Sequence, residues 1–179
     1  MPEAILSTRA LGREFGSLRA VDDVALNIRP GSIAGLIGPN GAGKSTVFNL
    51  LTGMLAPTAG QVFLNGQEVT GLSPDRLFAL GLGRTFQIPR PFARMSVLEN
   101  VMMAPLAQTG ESVLGPFLKP GRVREEEARI RTRALDVLNC VTLLPLADHP
   151  AGKISGGQMK LLELARVLMG DPSVILLDE

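Results

Sequence analysis

The stretch of sequence that decides the fold is Gly38-Pro39-Asn40-Gly41-Ala42-Gly43-Lys44-Ser45-Thr46. It fits the P-loop pattern G-x-x-x-x-G-K-[ST], in which glycines let the backbone curl tightly. Successive N–H groups of such a turn converge on phosphate oxygens, and the N-terminus of the helix that follows also favours an anion. The whole stretch is therefore predicted to bind the phosphates of a nucleotide.

Two side chains within this stretch have chemistry of their own. Lys44 is expected to reach the β and γ phosphates as a point charge, and the hydroxyl of Ser45 to ligate Mg²⁺. The alternative is a chance glycine-rich turn. However, residues 32–37 before the stretch have the pattern of a buried strand, and residues 44–54 after it that of a helix. This context favours a nucleoside triphosphatase or a kinase.

Strand patterns surround the loop and return at the end of the chain. They cover residues 4–10, 21–29, 61–65, 82–87 and 174–177. The first two are separated by a turn at 13–17, and Asn65-Gly66 is a favoured hairpin turn. The last is a continuous apolar run, which is typical of a fully buried parallel strand. These segments predict an α/β core with an antiparallel β region at its N-terminal end.

Helical patterns dominate residues 88–171. Ser96 and Glu99 have the spacing of a capping box, which predicts a helix to about residue 107. Residues 123–146 are helical by periodicity and charge pairing, and a further helix ends at 170–172. We therefore predict one domain over residues 1–179, with a nucleotide-binding α/β core from 1–87 and 172–179 and an inserted α-helical subdomain at 88–171.

The composition bounds the cellular setting. A net charge of +1 provides no overall field that attracts nucleic acid, and the arginines at 122–133 alternate with glutamates like a solvated helix face. The single Cys140 cannot form a disulfide within the chain and is predicted to be a small core residue. No signal peptide or apolar run of about 20 residues is evident, so we expect a cytosolic protein or one held at a membrane by a partner.

Two further motifs carry possible chemistry. Residues 174–179, VILLDE, place two carboxylates after an apolar strand, where one could face a metal and the other accept a proton from water. Acids that merely end a strand are the alternative. Residues 155–158, SGGQ, could form a second anion site at a helix N-terminus, or merely cap the helix.

Taken together, these motifs closely resemble those of the ATP-binding-cassette (ABC) family. GPNGAGKST at 38–46, RTFQ at 84–87, ISGGQ at 154–158 and VILLDE at 174–179 occur in the order found in that family. The resemblance covers essentially the whole chain. It implies a P-loop NTPase fold of the ABC type that binds ATP and Mg²⁺.

The resemblance also implies individual roles. Phe15 matches the aromatic residue that stacks on adenine, with a packed core residue as the alternative. Gln87 matches the glutamine that senses the γ phosphate through Mg²⁺ and water, with a solvated loop amide as the alternative. Asp178 matches the Walker B metal ligand, and Glu179 the catalytic base.

The signature segment implies partners. Ser155, Gly156 and Gly157, followed by Gln158, match the residues that clasp the γ phosphate of ATP bound to a second subunit. A dimer with an identical or a sister ATPase follows. Residues 82–104, LGRTFQIPRPFARMSVLENVMMA, resemble the ATPases of branched-chain amino-acid importers of the LivG type, and related importers of urea or other amides share much of this pattern. This implies membrane permease subunits, a substrate-binding protein that acts indirectly, and a position at the cytoplasmic face of the inner membrane.

The chain departs from the family pattern after Glu179. The dimer-contacting D-loop and the switch histidine do not occur in these residues, and His149 precedes the signature and is interpreted as a surface or capping histidine. In this fold class a later strand lies between the strands at 33–37 and 174–178. Without it their backbone groups would lack partners, so we expect a polypeptide of only these residues to be unstable.

The sequence leaves two other functions open. A non-transport ABC ATPase usually carries tandem cassettes, coiled coils or zinc motifs, none of which is evident here. A nucleotide-binding module that does not hydrolyse ATP is the second alternative; Glu179 argues against it for a full-length protein, whereas a polypeptide of only these residues is expected to be inactive.

Overall fold

The computed structural model describes residues 4–85, 91–105 and 120–178. The chain divides into two compact units, of which one comprises Met1–Arg84 with Ser173–Asp178 and the other lies within Thr85–Pro172. Among the described residues, no helix is both long enough and apolar enough to span a bilayer.

The first unit contains an antiparallel β-sheet. Its strands are β1 (Leu6–Phe15), β2 (Leu18–Val24), β3 (Asn27–Ile28), β4 (Ala59–Leu64) and β5 (Gln67–Glu68). They are ordered β2-β1-β4-β5, with β3 also paired to β1. Alternate side chains of β1 and β4, such as Leu6 and Leu64, point into the core, as strand geometry requires. The predicted antiparallel region is confirmed.

Turn chemistry sets where these strands end. Asn65 and Gly66 have φ of 50° and 77°, the left-handed values of a tight hairpin turn, so the predicted turn is confirmed. The first hairpin turns later than predicted, because β1 continues to Phe15 and Gly16, with φ of 59°, makes the turn.

Two helices and two parallel strands complete the first unit. They are α1 (Lys44–Leu51), α2 (Pro74–Ala79), β6 (Leu82–Arg84) and β7 (Val174–Leu176). Strand β6 pairs with β7 in parallel. Helix α1 buries Val47, Leu50 and Leu51 in the same core as the antiparallel sheet. The predicted parallel strand at 174–177 is thus present, although its side chains are only half-buried and Leu177 is exposed.

The strand predicted at 32–37 is wrong for the described structure. These residues have no regular secondary structure, and the side chains of Ile33 and Ile37 are 104% and 94% exposed. A strand needs a neighbour to satisfy its N–H and C=O groups and to bury its side chains. No strand of the described residues pairs with this segment, so its apolar sequence alone does not produce a strand.

The second unit is helical. Helices α3 (Val97–Met102), α4 (Pro120–Cys140) and α5 (Gly156–Met169) pack against one another, with short 3₁₀ turns at Leu144–Leu146 and Ala151–Lys153. The fully buried side chains of Val101, Leu138 and Leu162 join the three helices in one core.

Two predictions for this unit need correction. The helix predicted over 123–146 ends at Cys140, because Thr142 takes a left-handed φ of 61°. Cys140 is exposed rather than buried, since α4 turns Ala134 and Leu138 toward the core instead. His149 is exposed, as predicted.

The start of α3 confirms the predicted capping box. The Ser96 hydroxyl accepts a hydrogen bond from the Glu99 N–H at 3.1 Å, and the Glu99 carboxylate accepts one from the Ser96 N–H at 2.7 Å. The helix ends at Met102 rather than near 107, because Pro105 disfavours helical backbone at the residue before it.

The capping box generates a pH-dependent prediction. The backbone N–H of Ser96, and then its hydroxyl, stabilise the charged form and lower the pKa of the Glu99 carboxyl. A lowered folded-state pKa gives a contribution to stability that is present above the unfolded-state pKa and is lost as the pH falls through the folded-state value.

We expect an NMR titration to place the Glu99 midpoint below that of an ordinary glutamate. In Glu99→Gln, the difference from wild type in the free energy of unfolding should shrink on acidification; a difference that grows instead would contradict the assignment.

Candidate functional site

The turn of the P-loop requires a glycine at one position, residue 43. Gly41 and Gly43 have φ of 82° and 83°, and Gly43 is the N-cap of α1. A Cβ atom on Gly43 would lie 2.5 Å from the carbonyl oxygen of Ala20, whereas one on Gly41 would meet nothing within 4 Å. Gly43 is therefore fixed by close backbone approach as well as by its left-handed conformation.

Lys44 folds back over the loop that precedes it. Its Nζ donates hydrogen bonds to the carbonyl oxygens of Gly38 and Pro39, both at 2.7 Å. Helix α1 has no acidic residue in its first turn and no side-chain cap. The positive end of the helix and the ammonium group thus lie beside the same loop, an arrangement that suits an anion.

Asp178 follows β7 and is held by Arg84 at the end of β6. The Nη2 of Arg84 lies 2.6 Å from Oδ2 of Asp178, and the two side chains are 14% and 18% exposed. The Nη1 of Arg84 donates to Oδ1 of Asn49 at 2.8 Å and to Oγ1 of Thr52 at 3.0 Å. Arg84 thus ties the carboxylate to the C-terminal end of α1.

The sequence alone assigns no role to Arg84. The signal available was its place in the RTFQ segment at 84–87, three residues before Gln87. Nothing in that segment indicates a partner 94 positions later in the chain. Only the parallel pairing of β6 with β7 brings the two residues together.

The signature residues begin α5 in a second capping box. The Ser155 side chain accepts a hydrogen bond from the N–H of Gln158 at 3.3 Å, and Oε1 of Gln158 accepts one from the Ser155 N–H at 2.8 Å. Gly156 and Gly157 are exposed, and a Cβ on either would meet no atom within 4 Å. The segment does cap a helix, and its glycines leave an open surface at the helix N-terminus.

Phe15 lies at the end of β1 and is 45% exposed, so it is not a packed core residue. The guanidinium of Arg13 lies 4.8 Å from the centre of its ring. Such a cation–π contact restrains a ring that is otherwise partly exposed.

Two predicted site residues, Gln87 and Glu179, lie outside the described residues. In the described part of the chain, no group of three or more His, Cys, Asp or Glu side chains could hold a metal by itself. The donors fit Mg²⁺ in another way. The exposed hydroxyl of Ser45 and the carboxylate of Asp178 are hard oxygen ligands, and Mg²⁺ in nucleotide sites typically takes one or two protein oxygens beside those of phosphates and water.

A P-loop ahead of a helix, an acidic residue after a parallel strand and a glycine-rich helix start together define an ABC-type ATPase. The family model for ABC transporters matches residues 21–179, and the chain belongs to this family of ATP-binding ATPases.

Its relatives include transport ATP-binding proteins of archaea and bacteria. The chain is 38% identical over 175 residues to the probable branched-chain amino acid transport ATP-binding protein LivG of Methanocaldococcus jannaschii, covering 98% of this chain and 67% of that protein. It is 38% identical over 179 residues to the high-affinity LivG protein of Escherichia coli K12, covering 100% of this chain and 70% of that protein.

Solved structures agree in fold. A nucleotide-free ATP-binding cassette from an ABC transporter superposes with a TM-score of 0.80 at 38% identity, covering 98% of this chain and 69% of that one. A dimeric cassette in a post-hydrolysis state with ADP and Pi gives 0.71 at 27% identity, covering 97% and 73%. The predicted P-loop NTPase fold of the ABC type is confirmed.

The two left-handed glycines offer a matched pair of substitutions. Gly41→Ala should cost about 1–2 kcal/mol from the left-handed conformation alone. Gly43→Ala should cost more, since its Cβ also meets a backbone carbonyl. Denaturant unfolding of both variants measures the difference, and a loss for Gly43→Ala no greater than that for Gly41→Ala would contradict the close approach.

Proposed function

We propose that this protein is the ATP-hydrolysing subunit of an ABC importer for branched-chain amino acids. The observation that carries the proposal is the P-loop, in which Lys44 bonds the carbonyls of Gly38 and Pro39 at the N-terminus of α1. The transport ATP-binding proteins to which the chain is similar support the finer assignment to importers.

In the proposed mechanism, the backbone N–H groups of residues 38–46 bind the triphosphate, and Phe15 stacks on the adenine. Lys44 exchanges its two carbonyl partners for phosphate oxygens, because a charged acceptor makes the stronger hydrogen bond. The ammonium then neutralises the charge that develops as water attacks the γ phosphate in line.

Metal and proton handling fall to residues at the ends of strands. Ser45 and Asp178, with Gln87, would hold Mg²⁺, which when bound polarises the phosphate oxygens. Glu179 accepts the proton of the attacking water. For the two residues outside the described part of the chain, these roles rest on their match to the family motifs.

A second ATPase subunit would complete each site. Ser155, Gly156 and Gly157 would contact the γ phosphate of ATP bound to that subunit, using the open N-terminus of α5. A dimeric relative with bound ADP and Pi supports this arrangement. The partner would be an identical or a sister chain, and ATP would hold the two together until hydrolysis.

The remaining partners follow from the importer assignment. The pair of ATPases would sit at the cytoplasmic face of the inner membrane against permease subunits, with residues 1–87 and 172–179 as the nucleotide-binding core and 88–171 as the signature subdomain. The permease and a substrate-binding protein would select the substrate. Co-purification with a permease supports this, whereas co-purification with ribosomes or DNA would favour a non-transport ABC ATPase.

Two substitutions test binding and hydrolysis separately. Lys44→Ala should reduce ATP binding and phosphate release by at least tenfold, because the loop loses its phosphate-binding cation. Glu179→Gln should keep binding but lose phosphate release. Fluorescent-nucleotide titration and a phosphate-release assay measure the two.

The matched control is Arg76→Ala, which removes one positive charge from an exposed position in the same unit. It should leave both readouts unchanged. Unchanged nucleotide binding in Lys44→Ala would reject the P-loop assignment, and a wild-type protein that binds ATP without turnover would favour a nucleotide-binding module.

A further inference from the structure

Arg84 joins three segments that are distant in sequence. Its side chain is only 14% exposed, and its guanidinium donates to Asn49, Thr52 and Asp178. Asn49 belongs to α1, Thr52 caps its C-terminus, and Asp178 follows β7. One planar group thus connects the helix that begins at the P-loop with the acid that follows the parallel strand pair.

The partners on α1 fix where the guanidinium points. The Thr52 hydroxyl donates its own proton to the carbonyl of Phe48 at 2.8 Å, so its oxygen is oriented to accept from Arg84. Thr52 is 5% exposed, and the Asn49 amide oxygen accepts from the same Nη1. With Nη1 held twice by α1, Nη2 has a set direction, toward Oδ2 of Asp178.

Only one oxygen of the Asp178 carboxylate has a hydrogen-bond partner among the described residues. Oδ2 receives the Arg84 hydrogen bond, and the hydrogen bonds among the described residues include none to Oδ1 of Asp178. A flexible carboxylate that must bind a metal loses affinity through its freedom to rotate, and hydrogen bonds that orient a ligand typically change metal affinity 10–100-fold. Replacing a largely buried ion pair by well-packed apolar residues often leaves protein stability unchanged or raises it. The Arg84–Asp178 pair is therefore better explained by orientation of the carboxylate than by stability.

We propose that Arg84 is a positioning residue that sets the Asp178 carboxylate for the metal of the bound nucleotide. It holds Oδ2 against α1 and so presents Oδ1. The proposal rests on the proposed function, since it assumes that Asp178 serves the nucleotide's metal.

The shape of the side chain, and not only its charge, is required. Arginine offers a rigid fork that can serve two elements at once, whereas lysine is a single point charge on a flexible chain. Arg84→Lys therefore keeps the charge and loses the geometry, and Arg84→Gln loses both. Thr52→Val keeps the shape of the core and removes one of the two acceptors that aim the guanidinium.

The test compares nucleotide affinity with and without metal. Fluorescent ADP is titrated in EDTA and in Mg²⁺, and the ratio of the two dissociation constants is the metal increment; Mn²⁺ bound with ADP, counted by electron paramagnetic resonance, is a second readout. We expect this ratio to be roughly tenfold smaller in both Arg84 variants than in wild type. The dissociation constant in EDTA should stay within about twofold of the wild-type value. Thr52→Val should lose a smaller part.

Two controls define the result. Arg19→Lys alters an ion-paired arginine of the same unit that is 58% exposed, and it should retain the full increment. In an Asp178→Asn background, Arg84→Lys should cause no further loss, because the two residues act through one interaction.

The opposite outcomes are distinct. A metal increment in Arg84→Lys equal to that of wild type would overturn the proposal. So would an increment in Arg84→Gln larger than that of wild type, since Arg84 would then act as a charge that merely competes with the metal. Should the Arg84 variants fail to fold, an increment in Thr52→Val equal to wild type would overturn it. Absence of nucleotide binding in the wild-type protein would instead reject the proposed function.

Discussion

The turn at Gly43 is the constraint on which the rest of the P-loop depends. Its left-handed backbone lets the chain enter α1 directly from the loop, and the carbonyl of Ala20 leaves no space for a side chain there. Because the cap is a glycine, no side chain satisfies the first N–H groups of α1. Those donors remain available, and Lys44, the next residue, brings its ammonium to the same loop. A requirement of backbone geometry thus becomes a capacity to bind phosphate.

The N-terminus of α5, which is also rich in glycine, is capped differently from that of α1. At α5 the Ser155 hydroxyl already accepts from the N–H of Gln158, and Gln158 returns a bond to the Ser155 N–H. This helix is therefore closed at one N–H and open at the two glycines between. The arrangement suits a contact made at a surface with another molecule, whereas the N–H groups at the start of α1 lie beside the ammonium group of Lys44.

Local patterns were enough to predict the features that local interactions decide. The Asn65-Gly66 turn and the Ser96–Glu99 box depend on residues within four positions of each other, and both were predicted from sequence. The start of α1 at Lys44 also belongs to this group. The segment 32–37 does not, because an apolar pattern predicts that a strand is possible but cannot supply the neighbour that satisfies its backbone. Cys140 fails for a related reason, since helix periodicity alone leaves open which neighbouring side chains face the core.

Arg84 shows what such patterns cannot predict at a functional site. Its place in a recognised segment was visible, but its function depends on a pairing of β6 with β7 that brings together residues 94 positions apart. The motif residues Lys44 and Asp178 have chemistry that can be inferred from residue type. The residues that orient Asp178 cannot be inferred in this way, because Asn49 and Thr52 are ordinary residues until the fold places their side-chain oxygens to accept from Arg84, which in turn donates to the Asp178 carboxylate. The orientation of an acid that the motif predicts to bind a metal is therefore a property of tertiary structure, even where the identity of the acid is a property of the motif.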